Sequence, residues 1–173
     1  STCFEDVIRE NGGSVIYTKV GSPIVARIMK EKNAVFGGEE NGGLIFPEFQ
    51  YCRDSAMSLA KILEILAKEK RSLSELIAEI PSYEMYKTKI TCPNEKKERV
   101  MDLVMEQMKG IKDVTNIDRT DGVKLFVKDG WVLMRPSGTE PIFRLFVEAK
   151  EKQRAEQLAK TYKNLVESLV QRV

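Results

Sequence analysis

Histidine is absent from all 173 residues. That one absence removes the Ser-His and Cys-His nucleophile pairs together with the commonest transition-metal ligand, so any chemistry must rest on lysine, arginine, carboxylates and hydroxyls. Cysteine is scarce: Cys3, Cys52 and Cys92 are odd in number, far apart and outside any Cys-x-x-Cys pattern. This argues against a disulfide framework or a zinc site and predicts reduced, largely buried thiols. No apolar run approaches the roughly 18 residues that cross a bilayer, and the start, Ser1-Thr2-Cys3-Phe4-Glu5-Asp6, lacks the basic and apolar regions of a signal peptide. A cytoplasmic protein with no membrane partner is expected. Charge of one sign is also missing: 28 basic and 26 acidic residues, well mixed, give a formal net charge of +2 and no footprint for nucleic acid. Any anion recognition has to be local.

The hydrophobic fraction of 42% suits one ordinary globular domain or two small ones. Apolar spacing predicts a helix over Phe4 to Glu10, a break at Gly12-Gly13, a short strand at Ser14 to Tyr17, a helix over Pro23 to Lys32 and a strand at Ala34 to Phe36. Leu44-Ile45-Phe46 is a short apolar run. Asp54 is a good N-cap for a long helix to about Lys70, and Ser72 with Glu75 forms a capping box for another helix that Pro81 ends. A domain boundary falls there, giving domains over 1–81 and 82–173.

The second domain has its own pattern. Glu84 to Cys92 alternates as a strand, Asn94 caps a helix to about Lys109, and Asp121-Gly122 and Asp129-Gly130 mark hairpin turns. Strands are expected around 114–119, 124–128, 131–135 and 142–149, and a closing helix from Lys152 to the end. A four-stranded antiparallel sheet covered by two helices accounts for this half. Trp131 reads as core, alternating with Leu133 and Leu125 as inward candidates.

Between two apolar runs lies Arg135-Pro136-Ser137-Gly138-Thr139-Glu140-Pro141. Arginine offers a planar fork matched to phosphate oxygens, Ser137 and Thr139 add neutral donors, and Gly138 lets backbone N–H groups approach a ligand. The same composition also makes an ordinary turn joining two strands. Glu39-Glu40 reads either as a solvated acidic turn or as half of a carboxylate pair for acid/base or metal work, and Arg53-Asp54 as a helix start and interdomain contact.

The Arg135 to Pro141 segment followed by Arg144 resembles the phosphate-binding loop of the last domain of the α-D-phosphohexomutases. Gly38-Glu39-Glu40-Asn41-Gly42-Gly43 resembles the sugar-recognition loop of that family's third domain, and Thr18-Lys19-Val20-Gly21 the short motif before it. The three stand in family order, and the match is nearest the archaeal-type phosphoglucomutase/phosphomannomutase branch, with phosphoglucosamine mutases as near relatives.

The fold implied is a partial mixed α/β domain 3 followed by an α+β domain 4 of TATA-binding-protein-like type. The activity implied is interconversion of hexose 1-phosphate and hexose 6-phosphate through a phosphoserine and a hexose 1,6-bisphosphate intermediate. Mg²⁺ is implied as cofactor, held by an aspartate loop that, like the phosphoserine loop, is expected to lie in preceding domains outside this C-terminal part. The chain alone is therefore expected to be inactive, with missing N-terminal domains of the same protein and a small-molecule sugar phosphate as partners, and self-association through exposed apolar surface. The alternative is a stand-alone, non-catalytic phosphosugar-binding or regulatory module. Carried over residue by residue, the resemblance gives Arg135, Ser137, Gly138, Thr139 and Arg144 to phosphate, Glu39 and Asn41 to sugar hydroxyls, and Lys19 as a further candidate substrate contact. Ser22 and Gly43 stand where many bacterial members have histidine, so the hexose cannot be chosen from these residues.

Overall fold

The computed structural model describes residues 1–108 and 113–173. The chain divides into two compact units, essentially Cys3–Pro81 and Ser82–Val173.

In the first unit, helix α1 (Thr2–Glu10) starts on Ser1, whose Oγ accepts the Cys3 N–H. Helix α2 (Ser22–Lys32) has Pro23 in its first turn, where a missing N–H costs nothing, and ends on Asn33 in the left-handed conformation. Three short antiparallel strands follow: β1 (Gly37–Gly38), β2 (Leu44–Phe46) and β3 (Gln50–Arg53), in the order β1-β2-β3. Val25 and Met29 of α2 meet Ile45 of β2 in a small core.

Two sequence expectations shift here. Ser14 to Tyr17 forms no ladder among the described residues, because a strand exists only by pairing; Tyr17 instead donates its hydroxyl to Glu5 Oε2 at 2.9 Å. The strand expected at Ala34 to Phe36 falls at Gly37–Gly38, since the Ala34 N–H is still bonded to Met29 O of the α2 end. Strand β3 carries four exposed residues and so has no alternation from which to be read.

Asp54 caps α3 (Ser55–Glu69) as its sequence position suggests: Oδ1 accepts the Met57 N–H at 2.8 Å and Oδ2 the Gln50 amide at 2.7 Å. Those two bonds, Met57's first, hold the carboxyl below the ordinary aspartate range. Its contribution is therefore present above the unfolded pKa and lost as pH falls through the lowered value. Helix α4 (Leu73–Ile77) has both bonds of the Ser72/Glu75 capping box. Neither α3 nor α4 has a buried residue, and Leu59, Leu63, Ile65, Leu73 and Ile77 all stand exposed.

All five segments that read as strands form one antiparallel sheet, where a four-stranded sheet was expected: β4 (Glu84–Thr91), β5 (Val114–Asp118), β6 (Val123–Val127), β7 (Gly130–Pro136) and β8 (Ile142–Ala149). Their order is β4-β8-β7-β6-β5. Local hairpins order the last four, whereas β4 joins the edge by pairing with β8 from Glu84↔Ala149 to Thr91↔Ile142, a long-range match that no local pattern announces. Gly122, at a φ of 78°, closes the β5–β6 turn.

Helix α5 (Lys97–Met108) is preceded by a 3-10 turn, Asn94–Lys96, so Asn94 lies inside that turn and caps nothing. Pro93 stands at the turn's N-cap and no side chain caps it. The expected end at Lys109 lies outside the described residues. Helix α6 (Lys152–Arg172) closes the unit. One sheet face, with Leu125, Val132, Met134, Leu145 and Val147, packs on Val100 and Val104 of α5 and on Leu158, Tyr162 and Val166 of α6.

Trp131 is buried on the opposite face. The pairing Leu125↔Val132 sends Leu125 to the helices, while Trp131 lies beside Glu148 and donates its Nε1–H to Glu148 Oε1 at 2.8 Å. Of the cysteines, Cys92 alone is buried and Cys52 is exposed; burial pushes the Cys92 thiol up. Among the described residues no helix is long and apolar enough to cross a membrane.

Candidate functional site

Antiparallel register builds the candidate anion site of the second unit. Arg135 lies directly opposite Arg144, and Arg144 opposite Lys89, so three cations line one row across β7, β8 and β4. Like charges placed face to face repel. Two carboxylates offset this. Asp121 Oδ2 accepts from Arg135 Nη1 at 2.9 Å, and Glu140 Oε2 accepts from Arg144 Nη2 at 2.6 Å, with Lys89 Nζ 3.4 Å from the other Glu140 oxygen. Within this cluster three cations against two carboxylates leave one positive charge. The Nε–H groups of both arginines are buried and have no hydrogen-bond partner among the described residues.

The loop between the strands is fastened from within. The Ser137 N–H bonds to Ile142 O and the Ile142 N–H to Glu140 O, while Pro141 O accepts the Cys92 N–H. Ser137 is buried, and its Oγ accepts from the Thr139 N–H at 3.4 Å and the Glu140 N–H at 3.2 Å. Its oxygen thus organises the loop, leaving only its hydroxyl hydrogen to offer outward. Gly138 and Thr139 are exposed, and a Cβ at 138 would meet nothing within 4 Å. Beneath the loop Lys97 Nζ donates to Ser137 O at 2.6 Å and Glu140 O at 2.5 Å.

The hydrogen bond from Arg144, then that from Lys89, holds the Glu140 carboxyl below the ordinary glutamate range. A group whose folded pKa is depressed contributes stability above its unfolded pKa and loses it as pH falls through the folded one. A side-chain NMR titration should give Glu140 a pKa below the ordinary value of about 4.3; a value at or above it would refute the pairing with Arg144.

The first unit gathers the other candidates. Glu39 and Asn41 sit in the β1–β2 turn, closed by Glu39 N–H to Gly43 O and Gly42 N–H to Glu39 O, both 3.0 Å. Glu39 Oε1 accepts the Gly21 N–H at 2.9 Å, tying the Thr18–Gly21 motif to this turn, and Arg53 Nη1 is 3.7 Å from Glu39 Oε2. Lys19 is exposed two residues before that tie. Asn41 Oδ1 accepts its own turn's Gly43 N–H at 3.1 Å, which leaves the Nδ2 donors outward. Asn41, Gly42, Gly43, Arg53, Asp54 and Ser55 line an open recess of about 350 Å³.

The structure therefore brings Lys19, Glu39 and Asn41 together in one unit and Arg135, Ser137, Gly138, Thr139 and Arg144 together in the other. Sequence reasoning missed Lys89, Lys97, Asp121 and Glu140, and gave Arg53 no part in the sugar-loop recess. For Asp121 the signal existed only as a turn residue; for Lys97 there was none, since its partners are carbonyls 40 and 43 residues away. Among the described residues no three His, Cys, Asp or Glu side chains converge to hold a metal.

Residues 1–83 match the family model of the phosphoglucomutase/phosphomannomutase alpha/beta/alpha domain III, and residues 88–164 that of the phosphoglucomutase/phosphomannomutase C-terminal domain. A probable phosphoglucosamine mutase of Methanopyrus kandleri is 44% identical over 173 residues, all of this chain and 38% of the relative. A phosphoglucomutase/phosphomannomutase of Thermococcus kodakarensis is 49% identical over 156 residues, 90% of this chain and 33% of the relative. The chain thus spans well under half the length of these relatives. A crystal structure of a phosphoglucomutase/phosphomannomutase family protein from Burkholderia thailandensis shares the fold, with a TM-score of 0.77 at 21% identity over 96% of this chain and 35% of that one. With its first unit matching domain III and its second the C-terminal domain, the chain belongs to the phosphoglucomutase/phosphomannomutase family.

Proposed function

We propose that this chain is the substrate-holding C-terminal part of a phosphohexomutase that shifts a phosphoryl group between the 1- and 6-positions of a hexose phosphate. One observation carries the reading: two adjacent arginines, each with a buried donor unspent, flank an exposed Gly138-Thr139 tip. Phosphoryl transfer is catalysed mainly by positioning and charge stabilisation, so a site that grips the idle phosphate matters as much as the reacting one. Arg135, Arg144, the Gly138 N–H and the hydroxyls of Ser137 and Thr139 hold that phosphate. Glu39, fixed by Gly21, accepts from sugar hydroxyls, Asn41 donates to them, and Lys19 balances charge. The transferred group rides on a serine, and Mg²⁺ on an aspartate loop, both supplied from outside these 173 residues, with a hexose 1,6-bisphosphate turning between the two half-reactions in the cytoplasm. Similarity to proteins named phosphoglucosamine mutase and phosphoglucomutase/phosphomannomutase supports a hexose phosphate as the substrate class.

The test is direct. Adding glucose 6-phosphate to the chain should shift the backbone amides of Ser137 to Glu140, while glucose 1-phosphate should not be converted by the chain alone. Sustained turnover would overturn the division of labour, and unmoved loop amides would overturn the phosphate site.

A further inference from the structure

We propose that Lys97, at the start of α5, is the positioning residue of the phosphate loop: its ammonium fixes the loop peptide that aims the Gly138 N–H at the ligand. The inference rests on the phosphate-site reading above. Lys97 Nζ makes two short charge-assisted bonds, to Ser137 O and Glu140 O, so one side chain ties both ends of the exposed tip to α5. In a planar trans peptide the C=O of one residue and the N–H of the next point in opposite directions. Drawing Ser137 O towards Lys97 therefore turns the Gly138 N–H away from it. No hydrogen bond among the described residues uses that N–H, and the space in front of Gly138 is open. The Glu140 carbonyl is followed by Pro141, which has no N–H, so the second bond anchors the loop without diverting a donor.

Neutralising the loop's inward carbonyls has a second effect. Carbonyl oxygens near a bound phosphate repel it; an ammonium on their far side cancels that field and adds its own charge to the row formed by Lys89, Arg144 and Arg135. Lysine suits the task because its three donors radiate from one atom and reach two carbonyls at once. Lys97 touches no substrate atom in this arrangement.

The experiment titrates the chain and its Lys97→Met and Lys97→Arg variants with glucose 6-phosphate, following the amides of Ser137, Gly138 and Thr139. K97M is expected to keep the dispersed sheet spectrum, lose the ligand-induced shift of Gly138 and bind at least tenfold more weakly. K97R should recover most of the affinity. Binding of K97M within twofold of the parent, with the Gly138 shift intact, overturns the inference while leaving the phosphate site standing; a parent chain that shows no shift overturns the site itself. Should K97M fail to fold, the ¹⁵N signal of the parent's own Lys97 ammonium decides. It should exchange slowly with solvent and move in step with the loop amides during titration, and an ammonium signal indifferent to ligand overturns the proposal.

Discussion

Replacing Arg135 with alanine in a catalytically complete enzyme carrying these two domains should lower kcat/KM by about 30- to 1000-fold, the equivalent of about 2–4 kcal/mol of lost charge-assisted stabilisation. The size follows from the residue's setting. Its side chain is mostly buried, with one nitrogen on Asp121 and the Nε unspent, so it arrives at the ligand preorganised. Its removal also takes away the guanidinium charge that offsets the Asp121 carboxylate, which makes the position less favourable to an anion. Arg135→Lys should fall between, because an ammonium keeps the charge and loses the fork that serves Asp121 and phosphate together. Both can be read from steady-state kinetics with glucose 1-phosphate, and a kcat/KM within threefold of the parent for R135A would remove Arg135 from the site. In the proposed role the arginine only holds substrate, so the loss should appear whichever end of the sugar is reacting.

The fold was legible where signals are local. Asp54 with Met57, Ser72 with Glu75, and the two Asp-Gly turns each act within four residues, and their positions in the structure are those the spacing suggests. Long-range pairings were not legible. Strand β4 reads as a strand, yet nothing in Glu84 to Thr91 says that it lies against β8 some 58 residues later, and Trp131, buried as its core reading expects, lies on the face opposite Leu125 because alternation within β7 fixes parity without fixing the register to β6. The candidate anion site divides in the same way. Arg135, Ser137, Gly138, Thr139 and Arg144 share one short segment and stand out by residue type. Lys89, Lys97 and Asp121 reach the candidate site from other elements through register and a helix start, so only the folded chain assembles them. The exposed apolar stripe of α3 belongs to this second kind of information too: helical spacing shows that a stripe exists, and only burial shows that none of the described residues covers it.

Gly130→Ala should be the most destabilising single-methyl change in the second unit. A Cβ at 130 would stand 2.0 Å from Glu148 O and 3.0 Å from Ala149 Cα, and both atoms are backbone of β8, paired to β7 along its length. A flexible side chain could swing aside; a strand in mid-sheet cannot move without opening the ladder on both its edges. The displaced carbonyl belongs to Glu148, whose carboxylate holds the buried Trp131 indole, so the strain spreads into that hydrogen bond as well. Overpacking of this kind costs about 1–3 kcal/mol, and with a backbone partner the upper end, about 3 kcal/mol, is expected here. Trp131 is the only tryptophan and adjoins the substituted residue, so its fluorescence reports on this unit alone. Urea unfolding should show a lower midpoint with an unchanged slope, the mark of lost stability rather than of an altered unfolded state. Gly138→Ala supplies the contrast, because its methyl would enter open space: stability should stay within about 0.5 kcal/mol of the parent, while glucose 6-phosphate binding weakens where the methyl meets the ligand. Equal midpoints for G130A and G138A would mean that β8 yields to the methyl, and that the close approach of the two strands at Gly130 does not constrain the sheet.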